Sequence, residues 1–303
     1  MKRTPALILG CFALAAAGIA VVAFLATGSD PAPVALPSIP PARAAAALPG
    51  AGLSLARQSG RRVVALNLQR GAPTTRATVT VLDAEGKPVS GLEPRVGAIG
   101  ARPCGRGCYR ALVPSVGSRV DVHLGSAADV SFDVPARWPV SAVATLRKTE
   151  RALAAAHSVL YRERLESAPG TVISTTWREV APNRMSYSIA GGSSAVLIGA
   201  HRWDRAAGSA RWLRSPQDPV SAPALPWGTD VRNVVMLAPA AGPQGEDLRF
   251  ALFEPSIPAW YDVTVDARTF HLRSVHMTAP SHFMRDDYTA YDRVAGITPP
   301  TSR

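Results

Sequence analysis

Lysine is almost missing from this sequence: Lys2, Lys87 and Lys148 are the only lysines among 33 basic residues, so arginine carries nearly all the positive charge. With 22 acidic residues the formal net charge is +11, which raises nucleic acid as a partner. The arginines do not support it. Arg61, Arg62, Arg119, Arg147, Arg202, Arg214 and Arg249 are scattered along the chain instead of lining one amphipathic helix, and no nucleic-acid-binding motif accompanies them. A basic surface facing anionic lipid or wall polymer suits the pattern better.

Enzyme signatures are also lacking. There is no HExxH, no GxSxG elbow, no phosphate-binding loop and no CxxC, so no catalytic residue and no cofactor is expected. Asp286 and Asp287 stand beside Arg285 and read as solvated surface. Only three cysteines are present.

What is present begins with Lys2 and Arg3, followed by an uncharged apolar run from Ala6 to Ala26. As a helix this run spans about 31 Å, which matches a hydrocarbon core of roughly 30 Å. It is longer than a usual signal-peptide apolar region, and Ala26–Gly28 is a poor cleavage site. The run therefore reads as an uncleaved single-pass anchor, basic end inside, with a cleaved signal as the alternative. The rest of the chain is expected to face outside the cytoplasm at the cell membrane. Cys11 reads as a small residue of that membrane helix. Residues 29–52 are rich in Pro and Ala and poor in large apolar side chains, as an extended stalk would be.

Two further units follow, at 53–136 and 137–303. In the first, ATVTVLDA (77–84), GCYRALVP (107–114), RVDVHL (119–124) and ADVSFDVP (128–135) alternate apolar and polar residues with a period of two and are separated by Gly/Pro turns. That is the pattern of an immunoglobulin-like β-sandwich. Cys104 and Cys108 flank two glycines in an exported segment and are expected to form a disulfide. Asp121 and His123 share the polar face of one strand, with Asp129 placed to sit opposite, a donor set that Cu(II) accepts. DAEGKPVSG followed by CGRGCYRA resembles the YtkA/CopC-like domains of envelope proteins over residues 52–136, and this resemblance implies envelope copper handling. The N-terminal histidine of such copper sites has no counterpart here.

In the second unit Leu146, Thr149, Leu153, Ala156 and Leu160 fall on one side of a helix over about 140–161, with His157 bordering the stripe. The remainder reads as strands, with at most one short helix near 229–237. The order of a helix followed by TTWREVAPNRMSYSI, VLIGAHRWDR and SARWLRSP resembles the lipoprotein-carrier family of LolA, LppX and LprG, whose fold the RseB sensor module shares. The resemblance covers about 140–295. It implies an α+β antiparallel half-barrel around a cavity that accepts acyl chains. Trp177, Met185, Tyr187, Leu197, Trp203, Tyr261 and Val263 are then the candidate lining residues, although ordinary core is an equally good reading of their pattern.

The stretch HMTAPSHFM (276–284) offers soft metal ligands. His276 and Met277 are adjacent on a strand, so their side chains leave on opposite faces. His282 and Met284 share a face but supply only one pair of ligands. Pro280, between Met277 and His282, marks an edge or a bulge.

The expected fold is thus mainly β: a membrane helix, a stalk, an immunoglobulin-like sandwich and a LolA/LppX-like half-barrel. The expected function is a membrane-anchored extracytoplasmic protein that holds a lipid or other hydrophobic envelope molecule, as carrier or sensor. Its location also allows an envelope protein complex as partner. A copper-handling accessory is the first alternative and a structural or assembly module without small ligand the second.

Overall fold

The computed structural model describes residues 51–125, 129–168, 170–243 and 245–301. The expected anchor, nearly all of the stalk, and Cys11 lie outside the described residues. Among those described, no helix is long and apolar enough to cross a membrane.

The architecture is mainly β and antiparallel. Strands β1 (Leu53–Ser59), β2 (Arg62–Gln69), β3 (Thr75–Leu82), β4 (Arg95–Val96), β5 (Ile99–Gly100), β6 (Arg102–Gly105), β7 (Cys108–Val113), β8 (Arg119–His123) and β9 (Val130–Asp133) form two sheets. One has the order β1-β2-β3-β7-β6 and the other β5-β4-β8-β9. They enclose a core that includes Leu55, Val64, Leu66, Val79, Tyr109 and Phe132. The expected Cys104–Cys108 disulfide is formed, across the turn between β6 and β7.

Helix α1 (Val143–Ala155) follows. Then come β10 (Ser158–Ala168), β11 (Thr171–Val180), β12 (Arg184–Ile189), β13 (Ser194–Ile198), β14 (His201–Arg205), β15 (Leu213–Pro216), β16 (Arg232–Met236), β17 (Ala240–Gly242), β18 (Gly245–Glu254), β19 (Ala259–Val265), β20 (Leu272–Ala279) and β21 (His282–Tyr291). These build a twelve-stranded sheet in the order β15-β14-β13-β12-β11-β10-β21-β20-β19-β18-β16, with β17 paired to β18. The seam between its halves is β10 against β21, which joins strands more than a hundred residues apart in sequence.

Two expected helical stretches are corrected. The helix ends at Ala155, and residues from Ser158 are strand. Val159, Tyr161 and Leu165 recur with period two, and β10 gains a hydrogen-bonded partner on each side. Eleven residues of long-range pairing outweigh a local helical phase that Leu160 happened to continue. Asp292 fixes the change of direction by accepting the backbone N–H of His157 at 2.6 Å and of Ser158 at 3.2 Å. His157 itself is exposed rather than packed. The region expected as a helix near 229–237 contains β16, where Asn233 has φ of 51° and β-branched Val234 and Val235 favour the extended state. Pro280 lies in the two-residue turn between β20 and β21, with Ala279 paired to His282, and not at an edge or bulge.

Strand β2 is buried on both faces. Val64, Leu66 and Leu68 point into the sandwich core, whereas Val63 and Ala65 join Ala56 and Leu82 against Phe253, Trp260 and Phe283 of the large sheet. The five-stranded sheet is thereby the middle of three stacked sheets. Trp260 Nε1 donates to Ser54 Oγ at 3.0 Å within this buried layer. Trp260→Phe keeps the ring but strands that hydroxyl, so chemical denaturation should show a loss of about 1–2 kcal/mol, with no loss if the layer is hydrated.

Candidate functional site

The large sheet has one face against the sandwich and an opposite, inner face that carries α1. Period two decides which residues reach that inner face, and antiparallel register aligns them across strands. Tyr187 lies opposite Trp177, Trp177 opposite Tyr161, and Tyr161 opposite Tyr288. Their ring centroids are 4.8, 6.1 and 4.9 Å apart, and the row continues through Tyr291 to His271. Beyond the seam, Phe250, Leu252, Tyr261, Val263 and Val275 carry the same face as a second apolar field.

Six of the seven sequence-derived candidates are on this face. Trp177, Met185, Tyr187 and Leu197 form one buried cluster, while Tyr261 and Val263 belong to the cluster that α1 covers. Trp203 is not with them. It pairs with Val196 on the opposite face, where Arg214 lies over its ring.

The weak metal candidates are not assembled either. Asp121 accepts from Ser131 and Arg119, and His123 pairs with Asp129 at 2.7 Å. His282 Nδ1 contacts its own turn at Pro280 O, and Met284 packs into the inner-face cluster. No group of three or more His, Cys, Asp and Glu side chains is placed to hold a metal among the described residues.

The sequence reading missed the inner-face carboxyls. Glu163, Glu179 and Asp286 are 8, 2 and 3% exposed, which corrects the assignment of Asp286 to solvated surface. Asp287 does face outward and bonds Arg285. Glu163 and Asp286 are directly opposed across the seam, where Cβ atoms of paired residues lie about 5 Å apart. Two carboxyls so placed do not both ionise readily. Burial pushes Glu163 and Glu179 up to about 7. Burial, followed by the charges of Glu163 and Glu179, raises Asp286 well above the carboxylate range. Asp286 Oδ1 has no hydrogen-bond partner among the described residues, and the Trp177 indole lies beside the Glu163 carboxyl.

The inner face is closed by α1, through Leu146 and Leu153, and by the irregular segment 217–231. Its three prolines, at 219, 223 and 226, deny it ladder hydrogen bonds, so it lies across the sheet as a strap. Two buried carboxylates hold it by backbone N–H groups. Ala224 N donates to Glu179 Oε2 at 2.9 Å, and Gly228 N donates to Glu254 Oε2 at 3.0 Å. Between these anchors Trp227, 3% exposed, wedges edge-on against Phe250 and Tyr261. A Cβ added at Gly228 would run into the Glu254 carboxyl, which would have to swing away and give up its bond to Gly228 N. A crevice of about 240 Å³ lies away from this face, between the sandwich and the outer side of the sheet, where Leu55, Val134 and Leu237 meet the Arg249–Asp262 ion pair.

No protein-family model and no curated protein matches this sequence. Among solved structures, a LolA superfamily protein from Nitrosomonas europaea aligns with 50% of this chain and 93% of its own, at 11% identity and a TM-score of 0.24. An alignment at that level carries no argument about this chain.

Proposed function

We propose that this chain is an extracytoplasmic binding protein, tethered through residues 6–26, that holds a lipid or other hydrophobic envelope molecule on the inner face of its LolA/LppX-like sheet, beside an immunoglobulin-like sandwich. The observation that carries the reading is the strap. A broad aromatic and aliphatic face is sealed over much of its width by a segment without regular structure, anchored through few hydrogen bonds. A hydrophobic molecule that takes the place of Trp227 and Leu225 finds Phe250, Leu252, Tyr261 and Val263 beneath it. Each methylene it buries contributes about 0.8 kcal/mol, so shape and length give affinity without a catalytic group.

A structural module is the second reading, and one observation favours it: the chain's own Trp227, Leu146 and Leu153 fill the face. The purified full chain separates the two. Solvent extraction followed by mass spectrometry should release an acyl or other apolar species in near-stoichiometric amount, with metal content measured on the same sample. An empty protein supports the structural module. Stoichiometric copper would instead revive the copper-handling alternative.

A further inference from the structure

The outer face of strands β10–β15, beyond the reach of the sandwich, carries a second pattern that the inner-face reading does not use. Register places Arg178, Ser186, Val196, Trp203 and Arg214 in one row across β11 to β15. A neighbouring row runs Arg162, Thr176, Ser188, Ser194 and Arg205 across β10 to β14, with Arg164 opposite Ser174 beside it. Each row starts and ends on an arginine about 19 Å apart, four interstrand spacings, and contains no acidic residue. Of the six arginines that register places on this face, Arg162, Arg164, Arg178 and Arg214 are exposed, Arg205 is half-buried, and Arg184 is half-buried and donates to Ile297 O. None of the four exposed arginines, nor Arg205, has a carboxylate partner among the described residues. Two acids border this face, and both are engaged: Asp287 of β21, opposite Arg162, is paired with Arg285, and Glu166 at the end of β10 is bonded to Gln58.

Aromatic residues rim the arginines at the free edge of the sheet. Arg214 lies 5.7 Å from the Trp203 ring centre and Arg205 lies 4.8 Å from that of Trp212, while Leu213, 58% exposed at the same edge, pairs with Asp204 and so belongs to the other side of β15. We propose that this face docks flat on the surface of an anionic lipid bilayer, with the arginines at the headgroups and the β14–β15 edge at the interface. Thr176, Ser188 and Ser194 between Arg162 and Arg205 leave a low floor, which fits an extended planar surface better than an inserted helix or strand. Trp beside Arg at a free sheet edge is a composition that settles at a bilayer interface. The tether read from the sequence puts the face within reach, because residues 27–52 can span up to roughly 85 Å when extended. The docking is independent of the inner-face cargo, so either can fail alone.

The test reconstitutes the full chain in vesicles of phosphatidylcholine, with or without added phosphatidylglycerol. A polarity-sensitive fluorophore is attached at Ser188→Cys in a Cys11→Ala background, with Ser115→Cys on the sandwich as the reference position. Phosphatidylglycerol should blue-shift the Ser188 label and leave the Ser115 label unchanged. Salt at about 0.5 M, which shortens the screening length to a few ångström, should reverse the shift. Each arginine near an anionic surface is worth about a fivefold change in partitioning, so Arg178→Gln with Arg214→Gln should weaken docking about 25-fold while circular dichroism stays unchanged. The proposal is overturned if the label responds equally in both vesicle types or in neither. A response to soluble dextran sulfate or duplex DNA that phosphatidylglycerol does not reproduce would overturn it too, in favour of a polyanion partner.

Discussion

The protein should unfold more easily as the pH rises toward and past 7, and Glu163→Gln should remove the share of that sensitivity that belongs to the seam. The folded state keeps Glu163 and Glu179 protonated up to about 7, against an ordinary value of 4.5. For a carboxyl whose pKa is raised by folding, the stabilisation relative to the charged form is complete below the unfolded value near 4.5. It falls as the pH climbs and is gone above about 7. A shift of this size corresponds to about 3 kcal/mol for each glutamate, with little solvent screening because both are buried. Asp286, raised in the same sense, adds to the trend. Two histidines act the other way below 6.5, since burial lowers His271 and His276. Asp266 titrates far below this window, at about 2: burial alone would raise it, but the N–H groups of Thr269 and Arg268 and the Arg273 guanidinium overcome that. Subtracting the variant from the wild type cancels the histidine and Asp266 contributions, whereas the part of the Asp286 shift that comes from Glu163 goes with the glutamate. In urea titrations followed by tryptophan fluorescence, Glu163→Gln should match the wild type near pH 4 and exceed its stability by about 3 kcal/mol at pH 8. A difference that does not change with pH would mean that the seam carboxyls are hydrated and ordinary.

The second large effect belongs to the strap. Trp227→Ala removes a buried indole from between Phe250 and Tyr261 and should lower stability by about 3–5 kcal/mol. The size of that loss alone does not distinguish a plug from ordinary core. Recovery does. If the vacated space is where a hydrophobic molecule sits, such a molecule at about a hundred times its Kd should restore about 3 kcal/mol to the variant. An engineered core cavity takes only a small apolar molecule, so the molecule used is a long-chain fatty acid, which a core defect cannot admit. Gly228→Ala approaches the same point without emptying the core, because the added methyl group displaces the Glu254 carboxyl from Gly228 N and releases one of the two carboxyl anchors.

Much of the fold was legible in alternation, and the failures share one cause. Strands with a single buried face, such as β3 and β19, announce themselves by period two. Strand β1 does not, because Leu53 and Leu55 face the sandwich while Ser54 and Ala56 are covered by the large sheet, leaving no polar phase to read. The same holds at the site. Asp286 reads as surface when judged by its charged neighbours Arg285 and Asp287, yet it is in phase with Met284 and Tyr288, and phase was the better guide. Glu163, between Tyr161 and Leu165, carried the same signal. Trp203 was grouped with the lining residues by type, although Arg202 and Asp204, its neighbours, are the residues whose phase reaches the inner face; they bond each other and Tyr187 there. The role of segment 217–231 was not readable, since its prolines mark a loop but only the arrangement of distant strands makes that loop a cover.

The most direct test of the cargo reading is titration of the wild type and of Trp227→Ala with a fluorescent fatty acid, each variant first shown to be folded by circular dichroism. The account expects saturable one-to-one binding by both proteins, tighter in Trp227→Ala because the strap no longer competes, with each bound molecule displaced by an unlabelled acyl chain. A folded Trp227→Ala protein that binds no fatty acid would contradict it and leave the sheet as a scaffold.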